Sequence, residues 1–347
     1  MNGWRKFKLW LHKVGHWEYW PVWIVYLPCF LIYPIYAIRS RSFLFFTAAN
    51  PGMDNGGAYL VSKKKIYDLL PSKLVPATLL VSQPEDESKG RDWQRTQELS
   101  YPYIAKPDMG LRGDGLMVIK EEASWREFFS QLNQDYIIQE YVPYEKELGI
   151  FLIRQESGEF EITSIVEREF MAIIGDGVST VQQLILRTPR FAMQHDKLQE
   201  RFGKDFARVL SAGETLHFDR IGNHSKGTKF KNGNYLITPT LNQVINDTMA
   251  SLSGFNYGRL DIKYASMKQL LEGTHFSIIE LNGAFSEPAH IYDPRYPLLK
   301  AWRDLLRHFS ELYRVSVDSI TKGTVPPSLN EGLRQISEQL KMTKEYR

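Results

Sequence analysis

Two short stretches decide the fold that the sequence predicts: RLDIK at residues 259–263 and IIELN at residues 278–282. Each alternates apolar and polar residues, the pattern of a strand with one polar face. Where the two faces meet, they would bring together three oxygen-bearing side chains and one guanidinium: Asp261, Glu280, Asn282 and Arg259. Carboxylates in apolar strands are costly unless paired or metal-bound, and hard oxygen ligands beside phosphate suit magnesium. A surface ion pair of Arg259 with a carboxylate is the alternative.

A lysine and a glycine-rich loop lie earlier in the chain. AKP at residues 105–107 ends a predicted strand, and MGLRGDG follows at residues 109–115. The glycines let backbone N–H groups approach phosphate oxygens, and the lysine on the strand, Lys106, can reach the same anion. A glycine-rich hairpin turn explains the loop at least as well. It is not a P-loop, because no Gly-Lys-Ser/Thr follows.

The strand YIIQEYV at residues 136–142 begins apolar and ends polar, and Glu147 follows it. Exposed backbone at a strand end can pair with an adenine edge, and a carboxylate that follows can accept ribose hydroxyls. A plain strand end without a ligand has the same sequence.

The remaining pattern indicates an α+β order with mostly antiparallel sheets. A strand is expected to open the stretch FLFFTAANPGMDNGG at residues 43–57, which ends in turn-forming dipeptides. Further helices are expected at residues 62–70, 123–133, 240–252 and 298–314, and another begins at Ser179.

Composition excludes several classes of protein. The 347 residues are 43% hydrophobic, as in ordinary globular proteins, and carry a net charge of only +3, so we expect no nucleic-acid partner. The one cysteine, Cys29, excludes an internal disulfide framework and indicates a reducing, cytoplasmic compartment.

The front of the chain is basic and apolar. Residues 1–41 contain six basic residues and one acidic residue, which suits an anionic membrane surface. Residues 19–38 form an uncharged run whose length borders on that of a spanning helix, but three prolines and many Trp and Tyr residues favour the membrane interface. We expect an interfacial anchor at the inner face of the cell membrane; a true span and a hydrophobic flap on the protein are the alternatives.

In their order and spacing, these patterns resemble the ATP-grasp superfamily over about residues 62–310. The resemblance implies an α+β ATP-grasp fold, in which two α+β lobes with largely antiparallel sheets grip ATP, with a hydrophobic N-terminal extension. The organisation it implies is an N-terminal segment, a reduced pre-ATP-grasp region, a small lobe, a large lobe with the metal and substrate sites, and a helical tail: residues 1–45, 46–100, 101–146, 147–315 and 316–347.

The resemblance also implies how ATP would be held. Lys106 would hold the α- and β-phosphates, and Glu140 and Val142 would meet adenine through backbone groups, with Glu147 on the ribose. A second ATP lysine lies among residues 63–65, where Lys63 is favoured. The loop over the phosphates would be formed by Gly110, Gly113 and Gly115.

The implied catalytic centre combines cations with metal ligands. Asp261, Glu280 and Asn282 would bind two magnesium ions, with manganese as a substitute. Arg259 would stabilise the transferring phosphoryl group, and Arg168 matches a basic residue that the family often places on the phosphates.

Two segments resemble the cyanophycin-synthetase and glutamate-ligase branch: IIGDGVSTVQQLI at residues 173–185 and GETLHFDRIGNHSKGT at residues 213–228. The second carries residues that could line the pocket of an acidic substrate: Arg220, Asn223, His224, Ser225 and Lys226. D-alanine–D-alanine ligase is a more distant likeness, since its serine-bearing loop and Lys-Tyr pair are replaced here by MGLRGDG and by Arg168-Glu169-Phe170.

The implied activity is ADP-forming carboxylate–amine ligation through an acyl phosphate, on small-molecule or peptide-like substrates. An ATP-grasp kinase and a non-catalytic nucleotide-binding protein at a membrane are the alternatives. We expect Glu287, His290 and Tyr292 to face the substrate.

Overall fold

Two antiparallel sheets and the helices around them organise the chain in a computed structural model, which describes residues 3–110, 113, 115–218 and 227–345. The α-helices are α1 (Gly3–Gly15), α2 (Val22–Val25), α3 (Leu27–Arg39), α4 (Lys63–Leu69), α5 (Glu87–Thr96), α6 (Glu122–Ser130), α7 (Val181–Arg187), α8 (Pro189–Ala192), α9 (His195–Phe202), α10 (Pro239–Met249), α11 (Met267–Leu271), α12 (Leu298–Thr321) and α13 (Leu329–Glu345). The strands are β1 (Thr78–Val81), β2 (Tyr103–Pro107), β3 (Met117–Ile119), β4 (Tyr136–Glu140), β5 (Lys146–Arg154), β6 (Phe160–Glu169), β7 (Ala172–Ile174), β8 (Thr215–His217), β9 (Lys229–Asn232), β10 (Tyr257–Tyr264) and β11 (Phe276–Asn282).

The smaller sheet has the order β1-β4-β2-β3 and the larger one the order β11-β10-β5-β6-β9, while β7 and β8 form a separate pair. All of these neighbours are antiparallel. The smaller sheet takes β1 from outside residues 101–146. The α+β architecture with antiparallel sheets therefore agrees with the sequence prediction.

The large sheet has one apolar face and one mixed face. Leu148, Ile150 and Leu260 belong to the core that α10 covers with Leu241 and Ile245. Along α12, buried residues recur at spacings of three and four, the period of a helix that buries one face. That face packs at the far end of the same sheet, where Phe45, Phe151 and Leu312 share a second core. The sheet thus lies between two apolar layers, and polar residues occupy the rest of its second face.

Most of the expected elements form, but the strand expected at the start of residues 43–57 is wrong. Residues Phe45–Ala48 and Asp54–Gly57 are 3₁₀ turns instead. The run of apolar residues there is buried against α12 and not paired in a sheet. A short, continuously apolar run has no period, so its sequence does not distinguish a strand from a buried turn.

The uncharged run at residues 19–38 does not form one continuous helix. Pro21 caps α2, and Pro28 lies in the first turn of α3. In the part of the chain that the structure describes, no helix is long and apolar enough to cross a membrane.

The Asn50 side chain joins the 3₁₀ turns to β10. Its Nδ2 donates to the carbonyl oxygens of Gly56 (2.9 Å) and Tyr257 (2.8 Å), and its Oδ1 accepts from the backbone N–H groups of Asn256 (2.8 Å) and Tyr257 (2.9 Å). Asn50 has no exposed surface. One buried side chain therefore makes hydrogen bonds to four backbone groups in two distant segments of the chain.

Replacing Asn50 by alanine should lower the free energy of unfolding by about 3 kcal/mol or more, because each buried polar group left unpaired costs roughly 1–3 kcal/mol. Urea unfolding followed by circular dichroism measures the change. The matched control is Asn133→Ala at an exposed position. A loss below about 1 kcal/mol for Asn50→Ala would contradict the anchoring role.

Candidate active site

Four charged side chains lie together on the polar face of the large sheet. Arg168 on β6 donates to the carboxylate of Glu147 on β5, and its second terminal nitrogen lies 2.7 Å from Oδ2 of Asp261 on β10. Arg259, two residues before Asp261, donates to both oxygens of the same carboxylate, at 2.8 and 3.1 Å. The side chain of Asp261 has no exposed surface, and those of Glu147 and Arg168 are 3% and 7% exposed.

Burial alone would favour the neutral form of each carboxyl group. For Asp261, the two arginines outweigh burial and hold its pKa below the usual value. Glu147 faces Arg168 but also the negative charge of Asp261, and its burial dominates, so its pKa is raised. Burial opposes the charge of Arg168 too, yet Asp261 and Glu147 raise its pKa. The two carboxyl groups therefore differ, and Asp261 is the more firmly ionised.

Gly149 makes room for this cluster. It lies directly opposite Asp261 in the pairing of β5 with β10. A Cβ atom at this position would lie 2.9 Å from Oδ1 of Asp261 and 2.8 Å from Cγ1 of Val166. Glycine inside an apolar strand often marks such a close approach.

Glu280 and Asn282 on β11 complete the polar face. Glu280 pairs with Asp261 and Asn282 with Arg259 across the two strands, so the predicted metal ligands do come together. Within the described residues, the Glu280 carboxylate makes no hydrogen bond or salt bridge, and the buried Nδ2 of Asn282 has no partner. Both side chains are thus uncommitted, whereas Asp261 is already held by two arginines.

The side-chain oxygens of Asp261, Glu280 and Asn282 are ligands of the kind that magnesium prefers. Magnesium is commonly bound by one or two carboxylates together with water and substrate phosphates. Glu280 and Asn282 offer oxygen ligands without losing an existing contact, and Asp261 would exchange an arginine contact for the metal. Among the described residues, no group of three or more His, Cys, Asp or Glu side chains is arranged to hold a metal ion. A bound ion here would thus depend on phosphate and water for much of its coordination.

Helix α4 links the smaller sheet to this face. On β2, Lys106 donates through Nζ to the hydroxyl of Tyr67 on α4 (2.9 Å), and that hydroxyl donates to the carbonyl of Ile279 on β11. The N-terminus of α4 is fixed to the end of β2, since the Lys64 N–H donates to Oδ1 of Asp108 (2.8 Å). Among the described residues, Lys106 has no carboxylate at salt-bridge distance. Its charge is therefore uncompensated by direct contact, which suits an anion-binding group.

Lys63 lies beneath the start of the glycine-rich loop. Its Nζ donates to the carbonyl oxygens of Pro107, Asp108 and Gly110, each at 3.0 Å, so all three protons of the ammonium are used. Burial lowers the pKa of Lys63 to about 8, with Lys106 adding to the effect and Glu280 opposing it. The Lys63 ammonium thus supports the start of the loop by binding backbone carbonyl oxygens.

The other expected nucleotide contacts lie around this centre. Gly113 and Gly115 both have positive φ, at 69° and 70°, as a tight glycine turn requires. Glu140 ends β4, where its N–H donates to the carbonyl of Ala77 (2.9 Å), and Val142 follows it half-buried. Glu147 is paired with Arg168, so contact with a ribose would compete with that ion pair.

Residues 80–176 match the family model of the ATP-grasp domain. Over these residues the chain is therefore similar to an ATP-grasp domain. The matched stretch holds Lys106, Glu140, Glu147 and Arg168, and the β10–β11 pair lies after it. No curated protein sequence matches the chain significantly.

Several solved ligase and synthetase structures are similar to the chain at low sequence identity. The D-Ala:D-Ser ligase VanG from Enterococcus faecalis is 16% identical, with a TM-score of 0.43 over 76% of this chain and 64% of that one. The bifunctional glutathione synthetase from Pasteurella multocida is 14% identical, with a TM-score of 0.41 over 75% and 38%. The D-alanine–D-alanine ligase from Bacillus anthracis is 13% identical, with a TM-score of 0.40 over 75% and 67%. The match thus spans less than two thirds of the first two structures.

Some of the residues expected to contact the substrate are buried or lie outside the described part of the chain. His290 is 1% exposed, and its ring nitrogens contact Ser164 (2.7 Å) and Asp304 (3.2 Å), so the expectation that His290 faces the substrate is wrong. The Ser164–His290–Asp304 series has the composition of a hydrolytic triad, but Ser164 is also only 1% exposed. It joins β6 to α12 and is closed to substrate. The expected acidic-substrate contacts lie outside the described residues: Arg220, Asn223, His224, Ser225 and Lys226.

Tyr67, Asp108 and Gly149 are not among the residues that the sequence predicts for the site. Tyr67 and Asp108 become important only because α4 packs against β2 and β11, which no local pattern indicates. Gly149 alone carried a usable signal, its place within the apolar strand β5.

Lys63 should make stability depend on pH. Its pKa is about 8 in the folded protein against an ordinary value of 10.5, so the unfolded chain binds more protons between these values and stability rises with pH there. Relative to Lys63→Met, the wild-type free energy of unfolding should rise by about 2 kcal/mol between pH 8 and pH 10. Urea titrations at several pH values test this, and parallel curves for the two proteins would rule it out.

Gly149→Ala should lower the free energy of unfolding by about 1–3 kcal/mol, because the added methyl group overpacks the site between Val166 and Asp261. The same change at Gly203, where only Gln199 comes within 4 Å, is the control and should be nearly neutral. Adding Val166→Ala to Gly149→Ala should restore part of the loss in urea unfolding. An equal cost at both glycines would show that close approach is not the cause.

Proposed function

We propose that this protein is an ATP- and magnesium-dependent ligase that activates a carboxylate as an acyl phosphate and joins it to an amine, releasing ADP and phosphate. The observation that carries the proposal is the concentration of charge where the polar face of the large sheet meets α4 and β2, beside the glycine-rich loop. The cations there are Lys63, Lys106, Arg168 and Arg259, and the carboxylates are Glu147, Asp261 and Glu280.

The nucleotide would lie between the two sheets. Lys106, which lacks a carboxylate partner among the described residues, would hold its phosphates beneath the glycine-rich loop that Lys63 supports. The backbone of Glu140 and Val142 would meet adenine. In this proposal residues 101–146 and 147–315 form the main parts of the small and large lobes.

The chemistry begins with attack of a substrate carboxylate oxygen on the γ-phosphorus. The bond from that phosphorus to the ADP oxygen breaks, and an acyl phosphate forms. Arg259 and Arg168 are positioned by buried carboxylates, Asp261 for both and Glu147 for Arg168 as well. They are suited to stabilise the charge on the transferring group, because positioned cations need little reorganisation in the transition state.

Amine attack completes the reaction. The amine nitrogen bonds to the acyl carbon, the carbon–oxygen bond to phosphate breaks, and the nitrogen loses a proton. Magnesium, held by Glu280, Asn282 and Asp261, would neutralise charge on the phosphates. A protein nucleophile is not needed, which agrees with the burial of Ser164.

Glu280 offers the cleanest test of the site. Asp261→Asn would disturb Arg168 and Arg259 as well as the metal, whereas Glu280 has no hydrogen bond or salt bridge within the described residues. Glu280→Gln should therefore keep the fold and lower ADP release at least about a hundredfold, since charge stabilisation of this kind contributes several kcal/mol to the barrier.

The assay follows ADP and hydroxamate from ATP, magnesium, pooled amino acids or small peptides, and hydroxylamine, which traps acyl phosphates. Glu272→Gln, at an exposed position on the protein surface, is the matched control and should behave as wild type. Hydroxamate that disappears in Glu280→Gln supports the proposal. Stable phosphorylation of an alcohol without hydroxamate would indicate a kinase and overturn the ligase assignment.

A further inference from the structure

Helix α1 has a continuous exposed apolar face. Five large apolar side chains recur on it at helical spacing, and each is 48–65% exposed: Trp4, Phe7, Trp10, Leu11 and Val14. Lysines occupy other positions around the helix and are exposed as well. A helix with this division, rich in Trp and Lys, is typical of segments that lie in a membrane interface.

Helix α3 and the residues beside it have a second exposed apolar face. On α3, large apolar residues recur at the spacing of a helical stripe and are 42–75% exposed: Leu27, Phe30, Leu31, Ile35 and Ile38. Val22, Trp23 and Phe43 extend this exposed apolar surface at 57%, 64% and 60%. Soluble proteins rarely expose so many adjacent apolar side chains without a partner.

The opposite side of this segment is fixed to the protein body. Trp17 donates through Nε1 to the carbonyl of Tyr296 (2.8 Å), and Tyr36 stacks on Tyr313 with ring centroids 4.2 Å apart. Glu18, 3% exposed, pairs with Arg190 on α8 at 2.6 Å. Of the Trp and Tyr residues within residues 19–38, only Trp23 is exposed, and the others are half-buried. Packing accounts for one side of the segment and leaves the outer side unexplained.

Charge favours one kind of partner for the outer side. Glu18, the one acidic residue among residues 1–41, is buried in its ion pair. The basic residues of the same stretch are exposed: Arg5, Lys6, Lys8, Lys13, Arg39 and Arg41. The surface therefore presents apolar side chains and positive charge together, which complements the acyl chains and headgroups of an anionic bilayer.

The length of α3 indicates how it would meet the bilayer. Its 13 residues extend about 20 Å, short of the roughly 30 Å hydrocarbon core. Its inner face is also occupied by the protein body, through Cys29 and Ala37. Helix α3 can therefore bury its exposed apolar side chains in the bilayer only by lying parallel to the membrane plane, with its outer face against the lipid.

We propose that residues 3–43 form a docking surface that binds the protein peripherally to an anionic lipid bilayer, with the outer faces of α1 and α3 in the interface and the basic residues at the headgroups. This binding is separate from the proposed ligase activity, and either could hold without the other.

The test is flotation of the full-length chain with vesicles of phosphatidylcholine, with and without phosphatidylserine, at low and high salt. We expect flotation only with the anionic vesicles, weakened by salt because the contributing charges are exposed. Equal or absent flotation with both kinds of vesicle would overturn the proposal.

Matched variants separate the surface from general stickiness. Leu31→Ser with Ile38→Ser, at residues 71% and 75% exposed, should lower the partition coefficient at least about tenfold, as should Trp4→Ser with Trp10→Ser. Ile174→Ser with Val178→Ser, at residues 65% and 78% exposed on another part of the protein, should have no effect. Equal binding by all of these proteins would refute the assigned surface.

The basic residues are tested separately. Lys6→Gln, Lys8→Gln and Lys13→Gln together should lower binding to anionic vesicles about a hundredfold, since each basic residue near an anionic surface contributes roughly a fivefold factor. The control combines Lys120→Gln, Lys204→Gln and Lys268→Gln at exposed positions. A different outcome is that the wild type self-associates without lipid, the α3 variant is monomeric, and neither protein binds vesicles. The surface would then be an interface between copies of this chain, and the proposal would fail.

Discussion

The Asp261 carboxylate, which has no exposed surface, sets the constraint on which the centre of this protein depends. A charge removed from water must be compensated nearby, and here Arg259 comes from the same strand and Arg168 from β6, two strands away. Arg168 in turn requires Glu147, and the approach of the whole cluster requires that residue 149 have no side chain. Each buried charge in the cluster thus requires an opposite charge beside it.

The same cluster explains why the face suits phosphate chemistry. Its cations are held in fixed positions by buried partners, so little reorganisation would be needed when negative charge arrives. Glu280 and Asn282 lie beside the cluster with polar groups that have no partner among the described residues. Lys106, on the other sheet, is linked to β11 by its hydrogen bond to Tyr67. The two sheets therefore meet at the point where charge is most concentrated, and α4 holds them there.

The N-terminal segment, residues 3–43, has one side packed on the protein body and one side exposed. Its aromatic inner side packs against α12 and the residues after β11, which is ordinary core formation. Its outer side combines exposed apolar groups with basic residues, and burial within this chain does not account for them. Prolines at the starts of α2 and α3 break the run into pieces that can wrap the body, so the same uncharged sequence serves packing on one side and remains exposed on the other.

The strands that carry the site are predictable from the sequence, because alternation of apolar and polar residues specifies which side chains share a face. The cross-strand pairs of Asp261 with Glu280 and of Arg259 with Asn282 follow from that period once the two strands are adjacent. Local turn chemistry likewise predicted the glycine turn before β3. The strand predicted at the start of residues 43–57 is wrong, because burial of the apolar residues there depends on α12, more than 200 residues away.

Tertiary structure alone decided which charges are paired, since Arg168 lies 93 residues from Asp261 and no local pattern joins them. It also decided that Lys63 supports loop carbonyls, that His290 is closed to substrate, and that the aromatic residues of the N-terminal segment divide between packing and exposure. In each case the deciding quantity is burial, and burial depends on which distant segments of the chain pack together.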